Sequence, residues 1–158
     1  MRIVLVLLLL ALPCLPAESF GGAHVAEVYR IRLDRGDLLL ETIQNVIHQY
    51  GIADGAVLTA AGSLEECTFH RVNSVAEKPE DKFVTEKGPM EILGISGMIA
   101  GNDPHLHITL SDARGAFGGH LEKGCRVLYR AELTIAKFSG TPLARKPNRQ
   151  GVPVLGRK

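Results

Sequence analysis

Asn102–Gly124 reads NDPHLHITLSDARGAFGGHLEKG and holds three of the chain's six histidines. In an extended strand successive side chains point to opposite faces, so His105, His107, Thr109 and Ser111 share one face while Leu106, Ile108 and Leu110 share the other. The stretch therefore predicts a half-buried strand with imidazoles on one side and core on the other. Gly118-Gly119 interrupts the pattern just before His120, and two residues without a Cβ let the backbone turn sharply or come close to another group. That would bring a third imidazole beside the first two. Neutral imidazole is a good zinc ligand, and three histidines plus one open position is an arrangement of catalytic zinc sites. His105, His107 and His120 are the candidate ligands of a divalent metal, zinc above all, and on spacing alone hydrogen-bonded structural histidines are an equal alternative.

Working outward, HVAEVYRIRL (24–33) alternates and predicts the first strand, with Val25, Tyr29, Ile31 and Leu33 against Ala26, Arg30 and Arg32. Asp37 is placed to cap a helix whose Leu39, Ile43, Val46, Ile47 and Tyr50 recur at helical spacing, and Gly51 ends it. No other long helix stands out. Beyond it, glycines at short intervals separate segments rich in Val, Ile and Leu, the pattern of an antiparallel sheet. Strands are expected near 56–61, 66–73, 90–100, 105–111, 116–121 and 126–137, and Ser74–Lys87 as a solvated loop. The fold class is α+β: a mainly antiparallel sheet with one principal helix packed on it.

Several separate stretches, GPMEILGISG, PHLHITLSD, GGHLEKG and YRAELTIA, resemble the plant and prokaryote conserved (PPC) domain in order and spacing. The resemblance runs from about Tyr29 to Leu155 and takes in RGDLLLETI, AAGSLEEC and LARKPNRQG. It implies the antiparallel sheet with a helix on it, a homotrimer, and, as in some prokaryotic members, a metal held by the histidines that correspond to His105, His107 and His120. It also implies that the Pro-, Gly- and Arg-rich tail from Gly140 packs along the domain or an adjacent subunit, although composition alone suggests disorder.

The first residues, MRIVLVLLLLALPCLPAES, carry Arg2, an apolar run from Ile3 to Leu12, then Pro13 and Pro16 ahead of small residues. This is the layout of a secretory signal peptide cleaved after Ser19, with Ala17 as second choice. The run is shorter than the roughly 20 apolar residues of a spanning helix. Residues 1–19 are thus expected as the signal, 20–158 as a PPC-like domain, and the location as secreted or periplasmic, with no stable membrane anchor after cleavage. Pro13 argues against acylation of Cys14. Cys67 and Cys125 remain; an oxidising compartment permits their pairing, and burial as two separate small apolar residues suits them equally.

Eighteen basic against 17 acidic residues give a net charge of +1, with no broad electrostatic footprint for nucleic acid. Losing Arg2 and Glu18 with the signal leaves this unchanged. Phosphate loops, nucleophile elbows, Cys-x-x-Cys pairs and His-Glu-x-x-His are missing, so no reaction is assigned and the catalytic residues are unknown. Glu132 matches the acidic position of the family's corresponding strand. It stands opposite an apolar face read as Val127, Tyr129, Ala131, Leu133 and Ile135. A carboxylate there would orient a ligand histidine or act as a base, or simply pair with Arg130 on a solvated face. His70, in the strand read as CTFHRV, is read as an ordinary strand residue, with a fourth ligand or a partner of a ligand histidine as the alternatives. The reading is an exported, homotrimeric metal-binding protein with a cleft open to a small-molecule ligand. Its rival is a DNA-associated regulatory PPC protein; the Arg-Gly-Arg-Pro core of an AT-hook is absent, and DNA binding is not expected. A purely structural oligomer whose histidines satisfy one another is the third reading.

Overall fold

The computed structural model describes residues 17–158, so most of the expected signal peptide, with Cys14, lies outside the described residues. The elements follow in the order β1 (His24–Asp34), α1 (Leu39–Gln49), β2 (Asp54–Val72), β3 (Asp81–Ala100), β4 (Asp103–Asp112), β5 (Gly115–Leu121), β6 (Arg126–Ser139), β7 (Leu143–Pro147) and β8 (Pro153–Arg157). The expected α+β class holds: every pairing is antiparallel, and α1 is the one helix among the described residues. No helix among them is long and apolar enough to cross a membrane.

Six strands form one sheet in the order β1-β6-β2-β3-β4-β5, and β5 pairs back onto β2 through Phe69↔Leu121 and His70↔His120. Strands β2, β3, β4 and β5 thereby close into a small ring, which leaves no free edge at that end. The β3–β4 connection is the pair Gly101-Asn102, at φ 65° and 67°, the left-handed conformation a tight hairpin turn requires.

Helix α1 contributes Leu39, Leu40, Ile43 and Ile47 to a buried core cluster that also holds Leu33, Leu133 and Ile135 of the sheet. The same cluster continues through Leu64, Phe69, Leu106, Ile108, Leu110 and Leu121 into the closed ring. Each Leu or Ile removed from water there contributes roughly 1.5–3 kcal/mol. Gly51, at φ 56°, ends the helix as expected, and the Ile52 amide donates back to the Ile47 carbonyl at 2.9 Å.

Asp37 does not cap the helix. Its carboxylate accepts from the Asp34 amide at 2.8 Å, while the Leu39 amide donates to the Cys125 carbonyl at 2.8 Å. The turn just before β6 supplies an acceptor for the first turn of the helix in place of a side-chain cap.

Three further expectations change. The strands near 56–61 and 66–73 are one long strand, β2. Its partner β3 begins at Asp81, so half of the expected loop Ser74–Lys87 is strand, with charged side chains on an outer surface. Tyr129 leaves the apolar face of β6 and is 73% exposed, because the β2–β6 register slips between Gly62 and Leu64 and both Val127 and Ala131 turn inward. Cys67 and Cys125, both fully buried, are joined as a disulfide.

The tail is ordered along the domain. Strands β7 and β8 form a hairpin, Leu143 is buried, and Arg145 donates to the carbonyls of Asp103 at 2.7 Å and Met98 at 3.0 Å.

Candidate metal centre

The alternation read from β4 is the alternation observed. Leu106, Ile108 and Leu110 are buried, and His105 and His107 stand on the outer face. Gly118 and Gly119 do not interrupt β5; both lie within it. Their role is close approach: a Cβ on Gly118 would overlap the Ile108 carbonyl oxygen, and one on Gly119 the His70 carbonyl oxygen. Only with glycine at both positions can β5 fit between β4 and β2. His120 then pairs with His107 on one side and with His70 on the other. Paired residues of a ladder share a face, so three imidazoles stand in a row across three strands, with His105 two residues along.

One ring nitrogen from each of His105, His107 and His120 lies within 4.8 Å of the others. The Nε2 atoms of His105 and His107 are 3.3 Å apart. Four ligands disposed tetrahedrally at zinc–nitrogen distances of about 2.0–2.1 Å would stand about 3.3–3.4 Å from one another. The pair is thus already at the spacing of two zinc ligands, with a ring nitrogen of His120 within 4.8 Å of both. Burial holds the pKa of His105 below the ordinary value, helped by the positive charge of Arg145 and by His107. Burial does the same for His120, with His70 and His105 adding to it. Both rings therefore favour the neutral form that can give a lone pair to a metal. The residues fit a divalent ion of the zinc type.

His70 is more than an ordinary strand residue. Its ring stacks on that of His120 with centroids 4.4 Å apart, and its Nδ1 lies 2.7 Å from the Glu122 carboxylate. Its Nε2 is 3.7 Å from Asp81. His70, His120 and Glu122 form a second group of potential ligands. The signal in the sequence was Glu122 two residues after His120, but the β2–β5 pairing that joins them to His70 has no local mark. The four histidines line a cleft of about 660 Å³, whose far wall is Arg145, Val152 and Pro153 of the tail hairpin.

Glu132 is elsewhere. It lies on the outer face of the sheet opposite Arg32 on β1 and Ala61 on β2, in a hollow of about 400 Å³ with no lining residue in common with the histidine cleft. Within one chain it neither orients a ligand histidine nor reaches the cleft. Nor does it pair with Arg130, whose guanidinium lies over the Tyr129 ring at 5.8 Å. His24 and His48 join no histidine cluster among the described residues.

Residues 21–139 match the family described as the Plants and Prokaryotes Conserved (PCC) domain. The chain belongs to that family. A bifunctional protein GlmU from a Synechococcus strain is 33% identical over 123 residues, 77% of this chain but 18% of the relative. This chain thus spans less than a fifth of the length of the curated relatives it matches. Among solved structures, a plant- and prokaryote-conserved protein from Pyrococcus horikoshii superposes with a TM-score of 0.74 at 25% identity, covering 89% of this chain and 99% of the other. A metal-containing protein from Archaeoglobus fulgidus gives 0.73 at 22% identity over 87% and 98%. One from Bacteroides thetaiotaomicron, proposed to be DNA-binding, gives 0.71 at 21% over 85% and 94%.

Proposed function

We propose that this chain binds one divalent metal, zinc, through His105, His107 and His120, and that the metal with the surrounding cleft receives a small-molecule ligand. The observation that carries the reading is the convergence of the three ring nitrogens, two of them 3.3 Å apart. The histidine set supports zinc because it supplies three neutral nitrogen ligands and leaves the cleft side open. A metal-containing relative of the same fold supports a metal. Bound zinc would polarise an oxygen of the ligand as a Lewis acid. The test is calorimetric titration of zinc into metal-free protein. Binding near one ion per chain, lost in His107→Ala, supports the reading, and no binding by the wild type removes it.

The same reading includes export and a homotrimer. Export is supported by the apolar run and small residues of 1–19 and by the Cys67–Cys125 disulfide, which persists in oxidising compartments. The mature chain then begins near Phe20, which amino-terminal sequencing of protein from fractionated cells checks; an intact Met1 on a cytoplasmic protein refutes it. The homotrimer is supported by the family resemblance and by exposed apolar side chains such as Val28 and Tyr129 on strands β1 and β6. Light scattering of the purified protein tests it, and a monomer mass contradicts it.

A DNA-associated regulatory protein is the second reading, favoured by structural neighbours proposed to bind DNA. Tight, sequence-selective binding to duplex DNA at physiological salt would put it first. Weak association that vanishes as salt is raised would leave the metal cleft as the functional centre.

A further inference from the structure

A ligating histidine is ordinarily held by a second bond, its other ring N–H donating to a carboxylate or a carbonyl, which sets the orientation of the ring. Among the described residues none of His105, His107 and His120 makes such a bond. The histidine that does is His70, whose Nδ1 lies 2.7 Å from the Glu122 carboxylate. The orienting carboxylate thus stands one imidazole away from the candidate ligands.

His70 pairs across the sheet with Phe83 of β3 on one side and with His120 of β5 on the other. Its ring centroid is 5.2 Å from that of Phe83 and 4.4 Å from that of His120, and the planes of the two imidazoles are stacked at 23°. A carboxylate can only accept, so Nδ1 carries the proton of the bond to Glu122. Nε2 stands 3.7 Å from Asp81, beyond hydrogen-bonding distance. The paired side chains are largely shielded, His70 at 18% exposed and Glu122 at 28%. His70 is therefore fixed by one hydrogen bond and by a ring on either side. Its nitrogens stand outside the group formed by His105, His107 and His120, and it joins His120 and Glu122 in a separate one.

We propose that His70 is a positioning residue of the metal centre: anchored by Glu122, it presents a flat face that holds the His120 ring in the plane from which one nitrogen meets the metal. The inference deepens the metal reading above and rests on it. His120 needs this support more than its two companions do. His105 and His107 share one strand and already stand 3.3 Å apart, whereas His120 comes from β5, whose ladder to β2 is only the two pairs Phe69↔Leu121 and His70↔His120. Glu122 thus does through a second imidazole what a carboxylate bonded to the ligand would do directly.

The test is calorimetric titration of zinc into the metal-free full chain and its variants, with visible spectra at saturating cobalt(II) and a melt of each metal-free protein. His70→Ala is expected to bind zinc about 10–100-fold more weakly and to change the cobalt spectrum, while keeping a cooperative melt. His70→Phe keeps a flat ring between Phe83 and His120 but has no lone pair, so it should recover most of the affinity and the wild-type spectrum. Glu122→Ala, which frees the His70 ring, should weaken zinc binding by less than His70→Ala does. Wild-type affinity in His70→Ala, or in Glu122→Ala, overturns the inference and leaves the metal site standing. Equal loss in His70→Ala and His70→Phe makes His70 a ligand and overturns it as well. Should His70→Ala not fold, the other two variants decide: a folded His70→Phe that binds no zinc overturns the inference. Failure of the wild type to take up zinc overturns both readings together.

Discussion

His107 and His120 are direct cross-strand partners in the β4–β5 ladder. Opposed residues of an antiparallel pair hold their Cβ atoms about 4.5–5.5 Å apart, so the register alone sets two imidazoles within reach of one ion. That register is fixed by the other face, where Leu106, Ile108 and Leu110 are buried; a slip of one residue would expose all three. The site stands on a sheet whose core enforces its geometry.

Removing one partner should therefore cost the metal and spare the fold. His107 is exposed and contributes nothing to the core, so His107→Ala should lose bound zinc while its thermal midpoint without metal stays within a few degrees of wild type. Elemental analysis and a melting curve check this. Full metal in both His107→Ala and His120→Ala would contradict the ligand assignment.

Gly119→Ala should damage the centre without touching a histidine. Its Cβ would collide with the His70 carbonyl and press on Phe69 at 3.1 Å, forcing β5 away from β2. A loss of about 1–3 kcal/mol is expected, with weaker zinc binding. Gly94→Ala, where nothing lies within 4 Å, serves as control and should change stability by about 0.5 kcal/mol or less. Denaturant unfolding compares the two, and equal effects would sink the argument.

Much of this geometry was legible in the chain. The His-x-His alternation named the outer face of β4, and His120 joined it as the glycines suggested, although they act by close approach within a strand and not by a turn. The choice between an ordinary strand residue and a partner of the site was not legible for His70, because its place beside His120 depends on β2 and β5, 50 and 52 residues apart at the paired positions, meeting in the closed ring. The charged strand Asp81–Lys87 was lost for a similar reason: its apolar content is low, and its partner in β2 decides its state. Tyr129 misled because a bulge breaks the period of two that the reading of β6 assumed. Pairing of Cys67 with Cys125 was left open because spacing carries no information on contact across the fold.

The disulfide closes a loop between residues 58 apart in sequence, next to the core of the closed ring. Its reduction should lower the unfolding free energy by about 2–4 kcal/mol. Urea unfolding with and without reductant measures this, and superimposed curves would contradict it.

Asp54, at the start of β2, has a buried Oδ1 with no hydrogen-bond partner. Burial raises its pKa, against a smaller lowering by the Gly55 amide. The folded state thus holds this proton to higher pH than the unfolded chain does, and stability falls as pH rises from the unfolded pKa, about 4, through the folded one. Relative to Asp54→Asn, the wild type should gain stability as pH is lowered through that window. A difference independent of pH, in unfolding curves recorded at several pH values, would contradict the burial argument.

The most direct measurement is anomalous diffraction at the zinc edge from crystals of the zinc-loaded protein. The account predicts one strong peak per chain in the cleft, about 2.0–2.1 Å from a ring nitrogen of each of His105, His107 and His120, with its fourth position open to the cleft. A peak seated instead on His70 and Glu122, or no peak in the cleft at all, would contradict it.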